Sequence, residues 1–173
     1  SQNTLSQTNI LGADRESGPV DSDLRGNTAG ISNDGSRTIL DPFCGTGVIL
    51  QEAALMGYSV YGTDVSEKMV RFSRDNLNWA HDKFKFRAEW QLEIADAVTH
   101  TWRQPINAVA CEGFLGQPIG GQKPTPERLE HIMHECQTIM RGFLENISGQ
   151  LTPGTRLCVA VPAWNIDGML HQL

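Results

Sequence analysis

Thr38-Ile39-Leu40-Asp41-Pro42-Phe43-Cys44-Gly45-Thr46-Gly47-Val48 joins a short apolar strand to a helix through a turn that carries two glycines. Thr38, Ile39 and Leu40 form the strand candidate. Residues 48–56 are rich in good helix formers, and Gly57 stops them. Without Cβ atoms, Gly45 and Gly47 let a ligand approach the backbone at a helix N-terminus. Residues 58–62 then read as a second strand that delivers Asp64, seventeen positions after Gly47. That spacing is close to the ~20 residues between a glycine loop and a ribose-binding acid in dinucleotide folds.

The same alternation continues outward. Ser66 is placed to cap a second helix, with Glu67 in its first turn, running through Met69, Phe72 and Leu77 towards Trp79 or Ala80. Residues 90–94 alternate as a third strand and lead to Asp96, and residues 106–111 form a fourth that ends at Glu112. Thr125 and Pro126 open the clearest helix, whose apolar positions recur at steps of three and four from Leu129 to Ile147 before Gly149. After Pro153-Gly154, residues 157–161 are a nearly continuous apolar run, the pattern of a strand buried on both faces. Alternating strands and helices predict an α/β fold, a mostly parallel sheet with helices on both faces. In such sheets ligands sit beyond the carboxyl ends of the strands. Asp41, Asp64, Asp96 and Glu112 all fall there.

Composition narrows the function. The chain has 173 residues, enough for one core, and its apolar runs of about six residues are far below the ~20 that span a bilayer. Fourteen Lys and Arg against twenty Asp and Glu give a net charge of −6, the wrong sign for gripping phosphates unaided. A nucleic-acid partner then requires a local basic patch or a further domain. Cys44, Cys111, Cys136 and Cys158 form no C-x-x-C pair, so reduced thiols and a cytoplasmic setting are the expectation. Residues 1–37 hold few apolar side chains among Ser, Asn, Asp and Gly, and no period of 2 or 3.6. They read as a poorly structured extension preceding a domain over 38–173. Ile49 and Leu50 stand where a third glycine of the dinucleotide pattern falls, which favours an adenosyl ligand without a pyrophosphate, S-adenosyl-L-methionine.

The string Asp41-Pro42-Phe43-Cys44-Gly45-Thr46-Gly47, with residues 48–53 and the Val60-Tyr61-Gly62-Thr63-Asp64 strand, resembles the cofactor-binding segment of an RNA methylase family. These are class I S-adenosylmethionine-dependent methyltransferases with a Rossmann-like fold. They include THUMP-associated enzymes that methylate the exocyclic amine of guanosine in tRNA. The resemblance spans about residues 38–164, including Met69, Asn76, Asp96-Ala97 and the Pro153-Gly154-Thr155-Arg156 turn. It implies that Asp41 and the Pro42, Phe43, Cys44, Gly45 and Gly47 loop hold the amino-acid end of the cofactor. It further implies Asp64 on the ribose, Val65 and Ala97 beside the adenine, and Asp96 on the adenine amine. At the end of strand four, amine-methylating members carry [DN]-P-P-[YF], where this chain reads Glu112-Gly113-Phe114. Glu112 keeps an acceptor for the target amine and Phe114 keeps a ring for the base, while both prolines are lost.

Several alternatives stand beside this reading. Asp64 and Asp96 also suit Asx turns, and Glu112 and Phe114 suit a turn and a core position. Cys111 sits where some pyrimidine-carbon methyltransferases carry a nucleophile, but it lacks their preceding proline. The Lys83-Phe84-Lys85-Phe86-Arg87 segment reads equally as a single-strand RNA contact or as a solvated loop. His131, His134 and Cys136 do not complete a metal-ligand set, and no metal is expected. The family's sheet has about seven strands, and only five are placed, with no residues assigned to the C-terminal antiparallel pair. The expectation is a partial S-adenosylmethionine-dependent methyltransferase domain acting on RNA, with help from a further RNA-binding domain or partner. A non-catalytic adenosyl- or RNA-binding module, and a methyltransferase with a non-RNA substrate, are the competing functions.

Overall fold

The computed structural model describes residues 37–103, 105–116, 125–166 and 169–172. The extension read at residues 1–37 lies, but for Arg37, outside the described residues. The elements in chain order are β1 (Thr38–Asp41), α1 (Val48–Leu55), β2 (Ser59–Asp64), α2 (Glu67–Phe84), β3 (Trp90–Ile94), β4 (Ala108–Glu112), α3 (Pro126–Ser148), β5 (Arg156–Ala160), β6 (Ala163–Ile166) and β7 (Met169–Gln172). β1 to β5 form one parallel sheet in the order β3-β2-β1-β4-β5. The strand order reverses on either side of β1, which places the crevice beyond the carboxyl ends of β1 and β4.

Pleating sends successive strand residues to opposite faces, and each face has its own core. Val60 packs with Leu50, Ala54 and Leu77 beneath α1 and α2. Leu40, Tyr61 and Val109 pack with Met140, Phe143 and Ile147 of α3. Helices therefore cover both faces, as the alternation predicts. α1 packs so tightly on the sheet that a Cβ at Gly62 would collide with the Leu50 Cδ1 and stand 2.8 Å from the Leu92 Cδ2.

Among the described residues the crossover from β3 to β4 has no helix. Its place is taken by the segment 95–107, in which Trp102 and Ile106 are buried. Trp102 meets Phe143 edge-on at 6.3 Å, and its Nε1–H donates to Thr63 Oγ1 at 3.3 Å. α3 begins as its sequence dictates, with Pro126 in the first turn and Thr125 Oγ1 accepting from the Arg128 N–H at 3.3 Å.

Two expectations are corrected. The residues after β5 do form an antiparallel hairpin, β6 with β7, although it is not hydrogen-bonded into the main sheet. The signal was present: Asp167-Gly168 between two short apolar-bearing runs is a favoured hairpin turn sequence. The apolar run ending in β5 is also not buried on both faces. Among the described residues β5 is the edge of the sheet, with Leu157 and Cys158 exposed. Smaller differences concern helix ends: α2 extends to Phe84, and Ser66 precedes it without a side-chain cap bond.

Substituting Gly62 by alanine is expected to overpack the α1–sheet interface and lower stability by about 1–3 kcal/mol. Urea unfolding checks this, and a variant with an unshifted midpoint would show that Leu50 and Leu92 have room to move.

Candidate functional site

The loop between β1 and α1 is fastened to the tip of β2. The Cys44 N–H donates to the Thr63 carbonyl at 2.9 Å, and Thr63 Oγ1 donates to the Pro42 carbonyl at 3.3 Å. The Gly45 N–H donates to Asp64 Oδ2 at 3.0 Å, while Asp64 Oδ1 accepts from the Ser66 N–H at 2.8 Å. Asp64 thus forms an Asx turn into α2 and also holds the glycine loop. Each oxygen keeps a further lone pair for a ligand hydroxyl.

α2 clamps the loop from below. Ser73 Oγ donates to the Gly45 carbonyl at 2.8 Å, and Asn76 Nδ2 donates to the Thr46 carbonyl at 2.9 Å. Gly47 has a left-handed backbone, φ 83°, and a Cβ there would stand 2.8 Å from Ser73 Oγ. No other residue fits this close approach without strain. From the opposite face, the Phe43 ring packs edge-on against Phe143 of α3, with centroids 5.2 Å apart.

Asp96 opens the loop after β3, where its Oδ1 accepts from the Val98 N–H at 2.9 Å. α3 holds this loop by side chains. Asn146 Nδ2 donates to the Ala97 and His100 carbonyls at 3.0 and 2.9 Å, and Gln150 Nε2 donates to the His100 carbonyl at 2.9 Å. At the end of β4, the Gly113 N–H donates to the Ala160 carbonyl at 3.3 Å. A Cβ on Gly113 would meet the Met140 Cε at 2.5 Å, so β4 closes onto α3 through this glycine.

These loops enclose one cavity of about 560 Å³ at the carboxyl edge of the sheet, a volume typical of small-molecule sites. Of the residues singled out from sequence, Pro42, Phe43, Asp64, Val65, Asp96, Ala97, Glu112 and Phe114 line it. Asp41, Cys44, Gly45 and Gly47 are not among its lining residues; Asp41 and Cys44 are buried, and Gly45 and Gly47 belong to the loop that Asp64 and α2 hold. Sequence reading missed Glu135 and Ile139, which α3 contributes to the wall. Their signal was faint, since Glu135 directly precedes the buried stripe residue Cys136. Ser73, Asn146 and Gln150 also went unread. Ser73 is a polar residue at a buried position of the α2 stripe, between Val70 and Leu77, and that mismatch marked it.

Among the described residues the lining carries Asp64, Asp96, Glu112 and Glu135 and no Lys or Arg. A cavity of that sign repels phosphates and suits cationic groups and N–H or O–H donors. Asp41 lies buried below it, 2% exposed. Burial pushes its carboxyl up to about 7, the Asp64 and Glu112 charges add to the rise, and the Phe43 N–H opposes it. Burial likewise lifts the Cys44 and Cys111 thiols to about 12. A thiol held that high is a poor nucleophile at neutral pH, which weighs against the cysteine chemistry considered for Cys111. On α3, His131 and His134 are exposed and Cys136 is buried. Among the described residues no group of three or more His, Cys, Asp or Glu is placed to hold a metal.

A parallel sheet with this strand order, a glycine loop against β2 and an acid-lined cavity at its carboxyl edge define a Rossmann-like cofactor-binding fold. A family model described as a methyltransferase domain matches residues 33–172, and the chain belongs to that family, whose cofactor is S-adenosyl-L-methionine. The chain is 54% identical over 131 residues to a tRNA (guanine(10)-N2)-dimethyltransferase of Pyrococcus abyssi, covering 74% of this chain and 34% of that protein. It is 32% identical over 135 residues to the protein of the same name from Methanothermobacter thermautotrophicus, covering 78% and 36%. The chain therefore spans about a third of the length of these curated relatives. Among solved structures, TrmN from Thermus thermophilus superposes with a TM-score of 0.51 over 73% of this chain and 33% of that one, at 23% identity, a likeness of fold. The resemblance read from residues 41–47 is borne out at the level of family. Among the described residues no helix is long and apolar enough to cross a membrane.

Asp41 predicts a pH dependence. Its folded value of about 7 lies above the ordinary 3.8, so the folded chain keeps a proton that the unfolded chain releases. Its contribution to stability is complete below pH ~4 and is lost as pH rises to ~7, by an amount on the order of 4 kcal/mol at most. Asp41→Asn is expected to flatten this part of the stability profile in denaturant unfolding at several pH values. An unchanged slope would remove Asp41 as its source.

Proposed function

We propose that this chain is the catalytic domain of an S-adenosyl-L-methionine-dependent RNA methyltransferase that acts on the exocyclic amine of a guanosine in tRNA. The observation that carries the reading is the single cavity gathering Asp64, Asp96, Glu112 and Phe114 in a chain so similar to named tRNA guanine methyltransferases. We assign residues 38–173 to this domain and residues 1–37 to an extension. A cytoplasmic setting and a further RNA-binding domain complete the proposal. Without one, the acidic cavity and the net charge of −6 leave the phosphates of a substrate poorly held.

The residues present fit the cofactor. The four lining carboxylates suit its cationic sulfur and its hydroxyl and amine donors. When bound, it supplies a methyl group on a sulfonium centre. Asp64 accepts from the ribose hydroxyls on lone pairs not used by Gly45 and Ser66, and Asp96 accepts from the adenine amine through the oxygen not bonded to Val98. Val65 and Ala97 border the ring. Gly45, Gly47 and the N-terminus of α1 receive the amino-acid end, with Pro42, Phe43 and Cys44 shaping the loop and Asp41 beneath. A cation drawn to that end lowers the proton affinity of Asp41.

Glu112 accepts a hydrogen bond from the target amine and so fixes the direction of its lone pair, while Phe114 stacks on the base. Positioning of this kind supplies most of what an activated methyl donor requires. The replacement of Pro-Pro by Gly113 favours, as a second reading, a module that binds cofactor or RNA without turnover. Gly113 is committed to packing on Met140 and to the Ala160 carbonyl.

Labelled S-adenosyl-L-methionine incubated with unfractionated tRNA is expected to yield N2-methylated guanosine on nucleoside analysis. Glu112→Gln should reduce turnover roughly 10–100-fold with cofactor affinity nearly intact. Cofactor binding without transfer to any RNA favours the module, and equal losses of turnover and affinity place Glu112 on the cofactor.

A further inference from the structure

Among the described residues the cavity lining holds no Lys or Arg, yet the chain's cations are not evenly spread. Residues 67–87 carry six of the fourteen Lys and Arg, against Glu67, Asp75 and Asp82, a local excess of three positive charges in a chain of net charge −6. Most of this segment is α2, and its outer face has a pattern. Lys68, Phe72, Trp79 and Lys83 follow at steps of four, seven and four, which places them along one side of the helix, with Asp75 the acid among them.

These side chains pair ring with cation. Lys68 Nζ lies 5.6 Å and the Arg71 guanidinium 5.8 Å from the Phe72 centroid. One end of the stripe is more open. Trp79 is 56% exposed and Phe84 51% exposed, with their rings edge-on at 6.1 Å. Lys83 Nζ sits 4.6 Å from the first ring and 5.2 Å from the second. The Asp82–Lys85 ion pair beside them, at 4.0 Å between highly exposed groups, is weak and leaves the cations available.

The backbone keeps these rings outside. Lys85 adopts a left-handed conformation, φ 54°, that ends α2 abruptly. The chain then turns inward, and Phe86 packs against His81 and Trp90 at 5.2 and 5.7 Å. Of the alternating segment read from sequence, Phe86 therefore belongs to the core, while Lys83 and Phe84 face solvent.

We infer that the outer face of α2 is a second RNA-contact surface, on which unpaired bases stack against Trp79 and Phe84 while Lys68, Arg71 and Lys83 meet the phosphates. This rests on the RNA reading proposed above. Exposed rings interleaved with cations bind single strands because every base offers a flat face, and cations supply the backbone attraction. A rise of 1.5 Å per residue puts Trp79 about 20 Å along α2 from Ser66 and the cavity, at the other end of the sheet. One nucleotide cannot touch both places. The surface therefore selects RNA with an unpaired segment about 20 Å or more from the modified base.

Fluorescence anisotropy of the full chain with a labelled oligouridylate, and with unfractionated tRNA, tests this. Trp79→Ala combined with Phe84→Ala is expected to weaken both interactions about tenfold or more, with S-adenosyl-L-methionine affinity and thermal stability retained. Lys83→Gln should lower the slope of log affinity against log salt by about one. A blunt RNA duplex should respond little to the loss of the rings. The inference is overturned if the double variant binds oligouridylate as tightly as the parent, or if the parent does not bind single strands. Methylation of tRNA with unchanged KM in the double variant would sink this surface alone. Loss of RNA binding in a chain that methylates no RNA would instead sink the catalytic reading and leave the surface standing.

Discussion

The structure hangs on the grip of the β2 tip on the β1–α1 loop. Two backbone N–H groups, of Cys44 and Gly45, are answered by the Thr63 carbonyl and the Asp64 carboxylate, and Thr63 returns its hydroxyl to the Pro42 carbonyl. The loop has no regular ladder of its own, and its polar backbone lies against buried surface. Left unanswered, each such group costs about 1–3 kcal/mol. Because Asp64 answers Gly45 and Ser66 together, the start of α1 and the start of α2 are set by one carboxylate. The cavity wall is thereby shaped in advance, and a ligand meets groups already in place.

The opposite wall is built differently. Where a crossover helix is absent, Trp102 fills the space above β1 and β2, and Asn146 and Gln150 of α3 supply bonds that helical backbone would otherwise supply to itself. Gly142 lets α3 approach the 95–98 loop closely, since a Cβ there would stand 2.7 Å from Val98. The position of Asp96 is thus decided by residues about fifty places later in the chain, and the two walls are coupled through Phe143, which touches both Phe43 and Trp102.

Local chemistry made much of this visible beforehand. Strand β3 falls where its alternation put it, and Thr125-Pro126 opens α3, because periodicity and capping act over a few residues. The acids at the four strand ends were legible for the same reason: strand, turn and acid are neighbours in sequence. Ser73, Asn146, Gln150 and Glu135 were not, because their partners lie far away in the chain and their own surroundings look like ordinary helix. The apolar run of β5 misled, since hydrophobicity reports what a strand tolerates and not how many neighbours it has. Asp64 was read with ribose binding and a turn as alternatives, yet the structure gives one carboxylate room for both.

Among the described strands β5 stands at one end of the sheet. Among the described residues no strand joins its outer flank, and Arg156 is its one charge. Along that flank Leu157 and Val161 are exposed, and the edge of a sheet is where another extended chain can add its own hydrogen bonds. That rim lies opposite β3, on a strand that contributes none of the described residues lining the cavity.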